Sequence, residues 1–358
     1  MIPEHWRRAA LAPPLAWGSG AVATGALRSS PEDFKVDEIL GFDAGGEGPH
    51  ALLHVRKRGA NTEWVARELA RAAGCKPFDV GFAGLKDRNA VTTQYFTVPR
   101  GKRAAEEFVG VAGEGYEVIA AAPHLRKLPR GALAGNRFEI TVRAVAGHGA
   151  ALAARLAGIA RGGVPNYFGE QRFGRDVGNL ADVLRAGERA AAAGGAGGRS
   201  RGRGDAGFML SAARSLIFNA ILAERVTRGT WNTLASGDVA NLDGRGSVFA
   251  VESVDDTLVA RCAALEVHPT APLVGADTHS LAGGAVRALE EECAARYPEA
   301  LAVIGRERMN SERRALRIRV AGLEHEHSGD VLRLRFELAA GSFATTVLRE
   351  IIAAGDGD

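Results

Sequence analysis

ALLHVRKRGANTEWVARELARAAG, residues 51–74, changes its period in the middle. Leu52, His54 and Arg56 alternate with Leu53 and Val55, the period of a strand with two distinct faces. Beyond Gly59 the spacing becomes helical: Asn61 or Thr62 caps a segment carrying Val65, Leu69 and Ala73 on one side, and Gly74 suits the left-handed residue after its end. Strand therefore leads directly into helix. Working outward, DFKVDEIL (residues 33–40) alternates through Phe34, Val36 and Glu38, and strand-like spacing resumes at Phe78, Val80 and Phe82 and again from Gln94 to Val98, with the loop Ala83-Gly84-Leu85-Lys86-Asp87 between them. A further strand is expected from Arg137 to Arg143 and a helix from about Gly149 to Ile159.

The far end of the chain returns to strands. Leu316, Ile318 and Val320 alternate with arginines, as do Leu332, Leu334, Phe336 and Leu338, and residues 324–330 read as the turn of an antiparallel hairpin. The middle differs. After Gly162-Gly163-Val164-Pro165 the apolar pattern becomes helical, notably from about Phe208 to Arg228, where Leu210, Ala213, Ile217, Ala220, Ile221 and Val226 share a side. Residues 186–207, AGERAAAAGGAGGRSRGRGDAG, are low in complexity and read as a flexible surface loop. These patterns predict an α+β protein in which the N-terminal strands and the C-terminal hairpin share one sheet, interrupted by a more helical insertion.

Composition sets outer bounds. The 358 residues are 46% hydrophobic and 24% charged, which suits a globular protein of one large or two ordinary domains and excludes collagen-like and disordered classes. Lysine and arginine number 45 against 42 acids, so any affinity for nucleic acid rests on clustered basic residues. Three cysteines, Cys75, Cys262 and Cys293, are too few and too scattered for a disulfide framework or a four-cysteine zinc site, and a reducing, cytoplasmic compartment is expected. No uninterrupted apolar run approaches the roughly 18 residues of a membrane span, and the apolar stretch within Met1–Ala16 is too brief for a signal peptide.

The densest chemical cluster is GFAGLKDRNAVTTQ, residues 81–94, where Asp87 stands on a glycine-bearing loop between strand candidates, flanked by Lys86 and Arg88. A carboxylate so placed serves as nucleophile or base, although spacing alone favours a solvated turn. The context is wider. Residues 31–38 (PEDFKVDE), 81–94, 135–138 (GNRF), 164–174 (VPNYFGEQRFG), 210–219 (LSAARSLIFN) and 341–350 (GSFATTVLRE) occur in this order, and together they resemble the TruD family of tRNA pseudouridine synthases from about Gly18 to Ile352.

That resemblance implies a pseudouridine-synthase catalytic domain with a largely antiparallel mixed sheet, residues 1–161 and 309–358, and an inserted α/β TRUD domain, residues 162–308. It implies isomerisation of uridine to pseudouridine at position 13 in the D arm of tRNA, a reaction without net redox change and hence without cofactor or metal. The family's aspartate falls on Asp87, acting by addition to sugar or base or by removal of the ribose 2′ hydrogen. Its basic partner falls on Arg28, opposing the protonation that a closed pocket would impose. Phe138 takes the aromatic position that stacks on uracil, Asn136 a hydrogen-bonding position nearby, and Phe34 and Glu38 supporting positions, with Glu38 free to pair with a cation. Lys86 is a candidate phosphate contact. The NYFG and QRFG segments suit either packing or RNA.

Other signals are weaker. Glu324-His325-Glu326-His327 offers metal-like ligands that do not converge in a turn. Two basic stretches, Arg126, Lys127, Arg130, Arg137 and Arg143, and Arg306, Arg308, Arg313, Arg314, Arg317 and Arg319, are candidate phosphate contacts for tRNA. The expected protein is a monomer without membrane attachment. Competing functions are a noncatalytic RNA-binding or RNA-folding protein, and a hydrolase using Asp87 and Glu38.

Overall fold

The computed structural model describes residues 1–192, 203–275, 280–307 and 309–354, and the chain divides into two units. One comprises Val22–Ala153, Val320–Ala344 and the segment from Ile352, and the other Met1–Ala21, Ala154–Arg319 and Thr345–Ile351.

The first unit is built on an eleven-stranded sheet. Its strands are β1 (Ala23–Leu27), β2 (Phe34–Ile39), β3 (His50–Arg58), β4 (Gly81–Phe82), β5 (Val91–Pro99), β6 (Ala112–Gly113), β7 (Tyr116–His124), β8 (Gly135–Gly147), β9 (Ala321–Ser328), β10 (Val331–Ala339) and β11 (Ile352–Ala354). They run in the order β9-β10-β8-β2-β5-β3-β7-β6, with β1 beside β8 and β11, and β4 beside β5. The pairs β2·β5 and β1·β11 are parallel and the others antiparallel, so the fold is α+β on a largely antiparallel mixed sheet. N-terminal and C-terminal strands do share it.

The helix Thr62–Ala73 is closed at both ends as its sequence implies: the Asn61 side chain accepts from the Glu63 amide, and Gly74 takes a φ of 68°. Val65, Leu69 and Ala70 are buried in one cluster with Leu53, Val55, Phe96 and Phe108.

Four sequence expectations are corrected. Phe78 lies in a 3-10 turn, Pro77–Asp79, and is exposed, because Pro77 starts the turn and the Asp79 carboxylate accepts from the Lys76 amide. The C-terminal hairpin is formed by β9 and β10 around Gly329-Asp330, so residues 324–328 are strand. They are an exposed sheet edge, which tolerates the polar run that resembles a turn. The alternation at Leu316, Ile318 and Val320 begins outside this sheet: Leu316 enters the second unit's core, and Arg317–Ile318 pairs with Val164–Pro165. Finally, residues 186–192 end the helix Gly178–Ala192, and the helix expected from Phe208 starts at Arg203. Residues 193–202 of the expected loop lie outside the described residues. Gly187 is packed so closely that a Cβ there would stand 2.3 Å from Glu299 Cβ.

In the second unit a four-stranded sheet (Val248–Ala250, Val239–Leu242, Val267–Leu273, Glu312–Ala315, in that order) accompanies helices centred on Arg203–Thr227. Leu216, Ile217, Phe218 and Leu222 of that helix form a core with Trp6, Leu180, Val183, Tyr297 and Val303. By length and composition its Gly207–Thr227 segment could cross a membrane, although Ser211, Arg214 and Ser215 interrupt its apolar run; most of it is buried in the core. The first 21 residues join this unit, unlike the expected division at 161, because Trp6 is fully buried here and the Glu350 carboxylate accepts from the amides of Ala16 and Trp17.

Candidate active site

Strand pairing draws the conspicuous residues into two rows on one face of the first unit's sheet. Lys57 on β3, Thr92 on β5, Val36 on β2, Phe138 on β8 and Phe336 on β10 are successive cross-strand partners. The next row holds Val55 and Gln94, then Glu38, Asn136 and Leu338. A core face carrying lysine, threonine, glutamine, glutamate and asparagine departs from the apolar rule, and such departures concentrate at functional sites.

Phe138 is buried, tilted edge-on to Phe34 at 6.2 Å between ring centroids and stacked on Phe336 at 5.4 Å. Phe34 in turn lies beneath Arg28, whose guanidinium carbon is 4.4 Å from the ring centroid. From there Arg28 Nη2 donates to Asp87 Oδ2 at 2.9 Å. Arg28 reaches this place with a φ of 57°, in the left-handed region that costs a side-chain-bearing residue energy. The following turn is anchored by Asp33, which accepts from the Ser30 amide and from Arg143 on β8; these bonds hold the Asp33 carboxyl below its usual range, Arg143 contributing most. The sequence thus brings together Arg28, Asp87, Phe34 and Phe138 as expected from the motifs.

Glu38 and Lys86 take structural places beside them. Lys86 Nζ donates to Glu38 Oε2 at 2.7 Å, and Glu38 Oε1 accepts from the Tyr95 amide at 3.1 Å. Both side chains are almost wholly buried, at 7% and 0% exposure, so the Lys86 ammonium is committed to Glu38. Asn136 stands opposite Glu38, and its Oδ1 is buried without a hydrogen-bond partner among the described residues.

The loop bearing Asp87 is gripped from below by residues that the sequence did not single out. Lys57 Nζ donates to Thr62 Oγ1 at 3.2 Å and to the Ala60 carbonyl at 3.3 Å. Thr62 Oγ1 accepts from the Lys86 amide at 3.0 Å and donates to Gln94 Oε1 at 3.2 Å, while Gln94 Nε2 donates to the Gly84 carbonyl. The Gly131 amide adds a bond to the Ala83 carbonyl at 2.7 Å. The signal for Lys57 was its parity with Leu53 and Val55, and that for Gln94 its place at the end of the 81–94 motif.

In the NYFG and QRFG segments the aromatic residues pack inward, while Gln171 and Arg172 are exposed. Tyr167, Phe168 and Phe173 are buried in the second unit's core, and Asn219 holds the Phe168 backbone at both its amide and its carbonyl. Three arginines of the second basic stretch turn inward, a correction to their expected phosphate role: Arg313 pairs with buried Glu290, Arg314 stacks over Phe168 with its basicity lowered to about 10 by burial, and Arg317 bonds to His268 and the Cys262 carbonyl, while Arg306 and Arg319 are exposed. Arg308 lies outside the described residues. In the first stretch Arg143 pairs with Asp33 and Arg137 with Glu337, while Arg126 is exposed. Among the described residues no group of three metal-ligating side chains occurs.

Comparison with known proteins places this geometry among relatives. The family model described as tRNA pseudouridine synthase D (TruD) matches residues 18–183 and 207–351. The chain is 44% identical to tRNA pseudouridine synthase D of Methylococcus capsulatus over 331 residues, 92% of this chain and 91% of that protein. It is 45% identical to the protein of the same name from Xanthomonas campestris pv. campestris over 351 residues, 94% of each chain. A crystal structure from Methanosarcina mazei, provisionally assigned as tRNA pseudouridine synthase D, shares the fold with a TM-score of 0.72 over 98% of both chains at 23% identity.

Proposed function

This chain belongs to the TruD family of tRNA pseudouridine synthases, and from that premise we propose that it converts uridine 13 in the D arm of tRNA to pseudouridine with Asp87 as the acting carboxylate. The single observation that carries the assignment of Asp87 is its ion pair with Arg28 over Phe34, on a loop bracketed rigidly from beneath. Arg28 balances and aims the carboxylate while both remain reachable from solvent, at 33% and 42% side-chain exposure.

The reaction breaks the N1–C1′ bond, turns the uracil, and joins C5 to C1′. The hydrogen on C5 leaves to solvent and N1 gains one, so atoms and electrons balance without cofactor, metal or redox partner. Addition of the carboxylate to sugar or base, and removal of the 2′ hydrogen, each need one positioned carboxylate and an extruded nucleotide. The buried Phe34–Phe138–Phe336 cluster backs the place for that base, and Asn136, with its amide oxygen unpartnered among the described residues, supplies a polar group beside it. The first unit, with its sheet and the Asp87 loop, is the catalytic one. The protein acts as a monomer in the cytoplasm, a setting in keeping with its three free cysteines.

The test is release of tritium from tRNA transcribed with 5-tritiated uridine. The wild type releases one label per tRNA, with or without a chelator, and Asp87→Asn releases none above background. Full release by Asp87→Asn overturns the assignment of Asp87, and tight tRNA binding without release favours the noncatalytic RNA-binding alternative.

A further inference from the structure

Lys57 is 1% exposed on the core face of β3, and among the described residues it has no ion-pairing carboxylate. A buried cation without such a partner is expensive, and an apolar side chain of similar volume would serve the core as well or better. What the ammonium does is complete a hydrogen-bond ledger. The Thr62 hydroxyl has one proton to give and two lone pairs to offer. It gives the proton to Gln94 Oε1 and accepts from Lys57 Nζ and from the Lys86 amide, so it is saturated. That fixes the Gln94 amide, whose nitrogen must then face the Gly84 carbonyl. The two backbone groups held, Gly84 C=O and Lys86 N–H, flank Leu85, two residues before Asp87.

We propose that Lys57 is a positioning residue for pseudouridine formation: its ammonium completes the Thr62–Gln94 bracket that fixes the loop at residues 84–87, and thereby sets where Asp87 stands. This rests on Asp87 being the acting carboxylate. Burial lowers the Lys57 amine from 10.5 to about 8, with Lys86 pushing the same way and Glu38 and Asp87 opposing, so the charged form that fills the bracket is lost within a testable pH range.

The experiment compares full-length wild type, Lys57→Met, Thr62→Val and the double variant. In the tritium-release assay each single variant lowers kcat by about tenfold or more while KM for tRNA stays within about twofold, because a residue acting through the loop alters the chemical step and leaves RNA binding alone. The double variant loses no more than the worse single one, since both break the same bracket. Wild-type kcat falls as the pH rises past 8, and Lys57→Met lacks that limb. In parallel, hydrogen exchange at residues 83–88 quickens by about tenfold in Lys57→Met while β8 and β10 keep their protection. Unchanged kcat, a loss carried by KM, additive losses, or unchanged exchange at 83–88 overturns the proposal. A wild type that modifies no tRNA overturns the functional assignment instead, and the exchange measurement still decides whether Lys57 holds the loop.

Discussion

Breaking the Glu38–Lys86 pair from one side costs far more than removing it from both. The charges stand 2.7 Å apart with almost no exposure, which at an effective dielectric constant of about 20 is an attraction of about 6 kcal/mol. Against this stands a desolvation cost of several kcal/mol for each ion. The net worth of the pair is therefore small, whereas Glu38→Leu leaves the Lys86 ammonium buried and unpaired and the Tyr95 amide without its acceptor. A loss of about 3–5 kcal/mol follows for either single substitution, Glu38→Leu or Lys86→Met, and about 0–2 kcal/mol for the two together. The assay is native-state hydrogen exchange at β2 and β5, which reads the stability of the first unit separately. If Glu38→Leu costs under about 1 kcal/mol, or if the two losses simply add, the pair is solvated and the argument for a buried bridge under the Asp87 loop is refuted.

Further outcomes are expected elsewhere in the site. Arg28→Ala lowers kcat for pseudouridine formation by about 10–100-fold, and Arg28→Lys recovers only part of it because an ammonium lacks the planar group that lies over Phe34; steady-state kinetics checks both. Gly135→Ala places a Cβ 2.3 Å from the Leu338 carbonyl oxygen, so it destabilises by about 1–3 kcal/mol and displaces Asn136 and Phe138, as thermal unfolding and activity together would record. Lys57 also gives the wild type a pH-dependent stability of definite sign. Because its folded amine titrates near 8 and its unfolded amine near 10.5, the unfolded chain holds more protons between those values, and stability rises with pH there by at most about 3 kcal/mol. Denaturant melts from pH 7 to 11 should show this rise in the wild type and not in Lys57→Met.

What could be read from the sequence was set by how local the signal was. The strand-to-helix change at Gly59, the Asn61 cap and the Gly74 terminus depend on neighbours a few residues away, and they appear where the spacing puts them. Asp87, Arg28, Phe34 and Phe138 were legible as motifs, and Glu38 was expected to meet a cation, though that cation being Lys86 depends on a loop folding back over β2. Lys57 was hidden because RKRG looks like the solvated end of a strand, while its true side follows from two-residue parity with Leu53 and Val55. The polar edge of β9 resembled a turn because an exposed edge strand needs no apolar face. The arginines at 313, 314 and 317 looked like an RNA surface because charge alone does not tell that Glu290, Phe168 and His268 wait for them in the interior.

The most direct test of the central claim is a site-resolved pseudouridine map of tRNA from cells with the wild-type protein, with Asp87→Asn and without the protein. The account predicts pseudouridine at position 13 of a subset of tRNAs in the first sample and uridine there in the other two. Pseudouridine persisting at that position with Asp87→Asn as the only copy would contradict it.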